Sequence, residues 1–171
     1  SITYPDQFQS VTSVSITFSN GTDSESGVLL NQIRSQTALL SSGTCGAFGA
    51  WTTNATNVTS PYSATVPTGQ CYRFSVNVSN RAALWNNVTS ANQVKVDTTA
   101  PSGTSISYPD QFQSTTSVSI TFNNGTDSES GVLLNQIRSQ TATLSNGVCA
   151  AFGAWTTNAT NVTSPYSATV P

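Results

Sequence analysis

Residues 1–67 match residues 105–171 at a constant shift of 104 positions, without a gap, and 60 of the 67 aligned pairs are identical. This repeat constrains the chain more than any other feature. Self-similarity at a fixed long period means one structural unit used more than once, and 104 residues is the size of one ordinary domain with its own core. The seven differences are mild: Thr3/Ser107, Val11/Thr115, Ser19/Asn123, Leu39/Thr143, Ser42/Asn146, Thr44/Val148 and Gly46/Ala150. The chain therefore reads as a complete copy over 1–97, a linker over 98–104 (TTAPSGT) and a second, incomplete copy over 105–171. The first copy runs from VTSPYSATVP on into TGQCYRFSVNV, whereas the second stops at Pro171. Without its closing strands the second copy would expose its core and unpaired strand edges. The expectation is a window on a longer array, or strands donated by the next molecule of a fibre.

Within the unit, apolar residues alternate with period two, which marks half-buried strands. SVSITF places Val14, Ile16 and Phe18 on one face; CYRFSVNV places Tyr72, Phe74, Val76 and Val78 inward and Arg73, Ser75 and Asn77 outward. VLLNQIRSQ, YSATV and QVKVD are further extended runs, separated by turns rich in Gly, Asn, Asp and Pro. Six or seven short strands in about 100 residues predict an all-β fold, an antiparallel sandwich. In VDTTAPSG, Pro101 blocks further pairing and biases Ala100 to extended backbone, so successive domains should be strung end to end.

Cys45 and Cys71 fall in the first copy, and Cys149 is the counterpart of Cys45. The counterpart of Cys71 would lie just past the end, so the odd cysteine needs no reactive role. One Cys45–Cys71 disulfide per complete unit is expected, and with it an oxidising compartment. Cys71 has the parity of Arg73 and Ser75, so the bridge should tie the loop around Cys45 to the start of the penultimate strand, away from the Tyr72–Phe74 face.

Composition agrees with an extracellular or cell-surface location. Charged residues are 7% of the chain, against about 25% in an average domain. Ser and Thr number 27 each, so hydroxyls and amides rather than charges supply solubility. The net charge of −2 and five scattered basic residues predict no nucleic-acid partner. No apolar run is long enough to span a membrane.

Four segments carry a resemblance: DSESGV (23–28), SGTCGAFGAW (42–51), TGQCYRFSVNVSN (68–80) and the junction VDTTAP (96–101). On these the chain resembles the tandem immunoglobulin-like (fibronectin-III-like) repeats of large prokaryotic extracellular surface and adhesin proteins. The resemblance covers the first copy and all of the second. It implies tandem immunoglobulin-like sandwiches serving as spacers, adhesin shafts or fibre units, with other copies of the repeat as partners. The sequence departs from it at SNRAALWNN (79–87), where such repeats often carry an Asp and an Ala-Gly-Asn.

Enzyme chemistry is hard to assemble. There is no His, the usual base for a Ser or Cys nucleophile, and Lys95 is the only Lys. No catalytic residue and no cofactor is expected. Asp23 and Glu25, two apart on a polar turn, with Asp97 or Asp110, are weak candidates for calcium, and turn and cap roles account for them adequately. Candidate N-glycosylation acceptors are Asn20, Asn54, Asn57, Asn77, Asn87, Asn124, Asn158 and Asn161. Trp51 and Trp85 are candidates for stacking on sugar rings, which defines the alternative function: a carbohydrate-binding accessory module of a secreted enzyme, with surface glycans as ligands.

Overall fold

The computed structural model describes residues 1–170; Pro171, the boundary given above for the second copy, lies outside the described residues. The fold is all-β, with no helix among the described residues and several sheets. It divides into two compact units, the first comprising Ser1–Ala100 with Ser128–Gly131 and the second the remainder.

The first unit contains β1 (Ile2–Thr3), β2 (Phe8–Gln9), β3 (Ser13–Phe18), β4 (Val28–Ser41), β5 (Thr44–Cys45), β6 (Thr52–Thr56), β7 (Tyr62–Thr65), β8 (Gln70–Asn80), β9 (Trp85–Thr89) and β10 (Val94–Val96). One sheet runs β1-β3-β7; the other runs β2-β10-β8-β4-β5, with β6 paired to β4 and β9 to β8. The alternating runs become the strands, as period-two burial demands. The pattern of β3 is strictly exposed–buried from Ser13 to Phe18.

The core draws on both sheets: Ile2, Val14, Ile16, Phe18, Ala64 and Val66 meet Ile33, Tyr72, Phe74, Val76, Val94 and Val96. Each Val, Ile or Phe among them, withdrawn from water, stabilises the unit by about 1.5–3 kcal/mol. The central pair is β4 with β8, in antiparallel register from Val28↔Asn80 to Leu39↔Gln70, including Ile33↔Val76, Ser35↔Phe74 and Ala38↔Cys71.

One pairing departs from the antiparallel expectation: β10 runs parallel to β2, with Lys95 opposite Phe8 and Val96 opposite Gln9. These strands come from opposite ends of the unit, with β2 at the sheet margin and β10 between it and β8, so no tight turn forces them antiparallel.

A second departure concerns the outward face of β8. Ser75 is fully buried and Arg73 and Asn77 are half-buried. Residues 46–51 fold over this face. Phe48 lies 4.1 Å from the Arg73 guanidinium, Gln36 Nε2 donates to the Gly49 carbonyl (2.6 Å), and Arg34 donates to the Trp51 carbonyl (3.3 Å).

The second unit contains β11 (Ser105–Ser107), β12 (Ser117–Asn123), β13 (Gln136–Ser139), β14 (Leu144–Ser145), β15 (Val148–Cys149), β16 (Thr156–Thr160) and β17 (Tyr166–Thr169). They form three small sheets: β11-β12-β17, β13-β16 and β14-β15. Among the described residues of this unit, Ile137 and Ala168 are the buried hydrophobics.

Candidate binding surfaces

Four places in the fold gather chemistry, and each is built by local structure. The first is the disulfide. Cys45 and Cys71 are bonded, closing a sequence separation of 26. Their cluster comprises Ala38, Leu40 and Cys71 with Cys45 and Phe48, apart from the main core. Cys149 is free and exposed.

The second is the loop around Asp23. Asp23 Oδ1 accepts from the backbone N–H groups of Glu25 (3.1 Å), Ser26 (2.8 Å) and Gly27 (3.1 Å), and Oδ2 accepts from Asn80 Nδ2 (3.0 Å). The Asn80 amide and these backbone donors hold its carboxyl down to about 2. A carboxylate ringed by N–H donors faces the positive ends of dipoles, which is the wrong polarity for a cation. Asp97 is similarly engaged: Oδ1 accepts from Thr99 N and Oγ1 (both 2.9 Å) and Oδ2 from Ser130 N (3.1 Å). Asp110 is exposed in the second unit, and Glu25 is exposed in the first. Among the described residues no group of three or more His, Cys, Asp or Glu side chains gathers where a metal would sit.

The third is a cleft of about 280 Å³ at the β8–β9 end of the first unit, lined by Asn20, Asp23, Asn80, Leu84, Trp85 and Asn86 among others. Trp85 is 52% exposed and offers a ring face beside amide groups, the combination that binds sugars. Trp51 does not line this cleft. It precedes β6, which pairs with β4, whereas Trp85 opens β9, which pairs with β8, so the two tryptophans sit on opposite flanks of the β4–β8 pair. Seven of the eight Asn-x-Ser/Thr asparagines are exposed, and Asn77, within β8, is half-buried.

The fourth is a groove of about 420 Å³ in the second unit, lined by Ile106, Phe122, Val132, Leu134 and Ile137 together with polar neighbours. Ile2, the counterpart of Ile106, is buried at 7%, whereas Ile106 is 56% exposed.

Tyr4 went unmarked in the sequence. On the edge of β8 away from β4, β10 pairs with Gln70–Tyr72 and β9 with Ser75–Ser79, which leaves Phe74 N between them. Tyr4 Oη accepts from Phe74 N (3.1 Å) and donates to the Asn92 carbonyl (2.9 Å), so it closes the gap. Burial, above all, pushes its phenol pKa up. The shared parity of Ile2 and Tyr4 was the signal that could have found it. Compared with protein-family models, curated proteins and solved structures, the chain matches none.

Proposed function

We propose that this chain is a non-enzymatic structural repeat of an extracellular protein, whose copies fold as immunoglobulin-like sandwiches and build a surface stalk, adhesin shaft or filament. The observation that carries the reading is the internal repeat, 60 identities in 67 aligned positions at a shift of 104. Near-identical copies in one chain suit extension, because each adds length without adding a new chemistry. The Cys45–Cys71 bond supports an oxidising compartment. The hydroxyl-rich, charge-poor surface supports a role in which the coat keeps repeated units soluble. Glycans on the seven exposed acceptor asparagines would extend that coat.

The intact mass of the native, non-reduced protein, with negative-stain images of the same sample, tests this reading. Many times 17.8 kDa with beaded fibres is the expected result. Single compact particles bound to a catalytic domain would overturn it.

A second reading, a carbohydrate-binding module, is favoured by the Trp85 cleft. Titration with soluble polysaccharides followed by tryptophan fluorescence tests it. A response lost in Trp85→Ala and kept in Trp51→Ala would support sugar binding at the cleft, and no response in the parent chain would remove it.

A further inference from the structure

We infer that one end of the first unit is a seat for the Ser-Glu-Ser-Gly turn of a repeat copy, and that Glu129 is the residue by which the seat holds it. The occupant is Ser128–Gly131 of this chain, which the first unit takes in. The inference rests on contacts within that unit and stands whether or not the copies serve as a stalk.

Three strand ends build the seat: the tip of the β4–β5 hairpin at Ser42 and Gly43, the entry to β8 at Thr68 and Gly69, and the exit from β10 at Asp97 to Thr99. Leu40 N donates to the Gly69 carbonyl (3.0 Å) and Gly69 N to the Val96 carbonyl (2.9 Å), which ties the three ends together. The hairpin has a two-residue turn. Ser41 pairs with Thr44, and Ser42 and Gly43 between them have φ of 47° and 76°. The two central residues of such a turn stand outside the ladder, so their N–H groups need partners from elsewhere. Ser42 N donates to the Ser128 carbonyl (3.0 Å) and Gly43 N to the Glu129 carbonyl (2.8 Å).

Side chains add the selection. Thr68 Oγ1 donates to Glu129 Oε2 (2.8 Å) and accepts from Thr98 N (2.9 Å), so one hydroxyl links the carboxylate to the backbone leaving β10. Thr99 Oγ1 lies 3.2 Å from the same oxygen. Ser130 N donates to Asp97 Oδ2 (3.1 Å). A Cβ on Gly69 would stand 2.9 Å from Glu129 Oε1, so the missing side chain gives the carboxylate its room. The seat thus offers donors to two carbonyls and a carboxylate of the turn, and an acceptor to one of its N–H groups. An apolar side chain in place of Glu129 would leave the Thr68 hydroxyl without that acceptor.

The repeat supplies its own comparison. The first copy carries the same five letters, Asp23–Gly27, and there Asp23 Oδ1 accepts from the N–H groups of Glu25, Ser26 and Gly27. The turn can therefore be shaped by its own sequence, and an element shaped in advance loses little freedom when it is seated. Glu25 is exposed, whereas its counterpart Glu129 is half-buried.

The test is hydrogen exchange on the full chain, read at the Ser42 and Gly43 amides, whose bonds end on the turn. Glu129→Ala should speed their exchange about tenfold, equivalent to ~1.4 kcal/mol, while Ile33 and Val76 stay as in the parent chain. Glu25→Ala should leave Ser42 and Gly43 unchanged. Thr68→Val should act on the same two amides, and Thr68→Val with Glu129→Ala should do no more than the larger single change, because both remove one bond. Equal effects of Glu129→Ala and Glu25→Ala would overturn the inference, as would effects of Thr68→Val and Glu129→Ala that simply add. Faster exchange throughout β4 and β8 in Glu129→Ala would also overturn it, since Glu129 would then support the whole sheet rather than hold a seated turn.

Discussion

Ile33 and Ile137 sit in the same stretch of sequence, VLLNQIRSQ, one in each copy. Around the first the strand runs for 14 residues, Val28–Ser41; around the second it runs for 4, Gln136–Ser139. What survives in both copies is local or held by partners that both possess. Asn31 clamps Val58 through Nδ2 to the carbonyl (2.9 Å) and Oδ1 from the N–H (3.0 Å), and Asn135 does the same to Val162 (2.8 and 3.0 Å). Ser60 Oγ accepts from Phe18 N and Ser164 Oγ from Phe122 N, both at 2.9 Å. The pairings β3–β7 and β12–β17 have equivalent registers.

What differs depends on residues 68–104, whose counterparts are not among residues 105–171. Leu40 is buried at 2% and Leu144 is 55% exposed; Tyr4 is buried at 6% and Tyr108 is 61% exposed. A strand is stabilised by its neighbours more than by its own propensity, so one sequence gives a long strand where β8 covers it and a short one where nothing does.

This comparison can be broken or sharpened by mutation. Phe74→Ala removes the largest fully buried side chain of the first unit and should cost about 3–5 kcal/mol there. Residue-resolved hydrogen exchange in denaturant checks this, with β4 amides sinking towards the behaviour of β13 while β12 and β17 stay as they were. Cys71→Ala opens the closed loop and should cost the first unit about 3 kcal/mol, read as a lower denaturation midpoint. Cys149→Ala, at an unbonded and exposed position, should leave the stability of the chain within about 0.5 kcal/mol. Tyr4→Phe leaves Phe74 N without its partner and should cost about 1–3 kcal/mol, whereas Tyr108→Phe should change stability by less than about 0.5 kcal/mol.

The smallest effect concerns acid. Asp23 has its folded pKa lowered to about 2, so its contribution is present above the ordinary carboxylate pKa of about 3.9 and is lost as pH falls through about 2. NMR of the Glu25, Ser26 and Gly27 amides should show a titration with its midpoint near that lower value. Asp23→Asn should remove that titration.

The strands that build the core were legible in the sequence. SVSITF coincides with β3 at both ends, and CYRFSVNV lies inside β8, because alternation over six or more residues leaves one reading. The β2–β10 pair was not legible, since a two-residue strand such as Phe8–Gln9 has no period to detect. TTNAT and WNNVT became β6 and β9 although they are polar, because they pair along β4 and β8 rather than bury a face of their own. Ser75 read as outward because its parity was right, but nothing in the local pattern told that residues 46–51 would fold over that face. The candidate surfaces followed the same division. The cysteine pair was readable from the repeat, whereas the role of Tyr4 arises from contacts far apart in the chain.

Hydrogen exchange on the unmodified chain, comparing amides one by one across the 104-residue shift, tests most directly whether long-range cover rather than sequence sets strand order. Slow exchange from Ile33 to Leu40, with much faster exchange at the matching positions Ile137 to Leu144, is the expected result. It should come alongside similar exchange in β3 and β12. Equal protection of the two copies throughout would contradict it, and strand order would then reside in the repeated sequence itself.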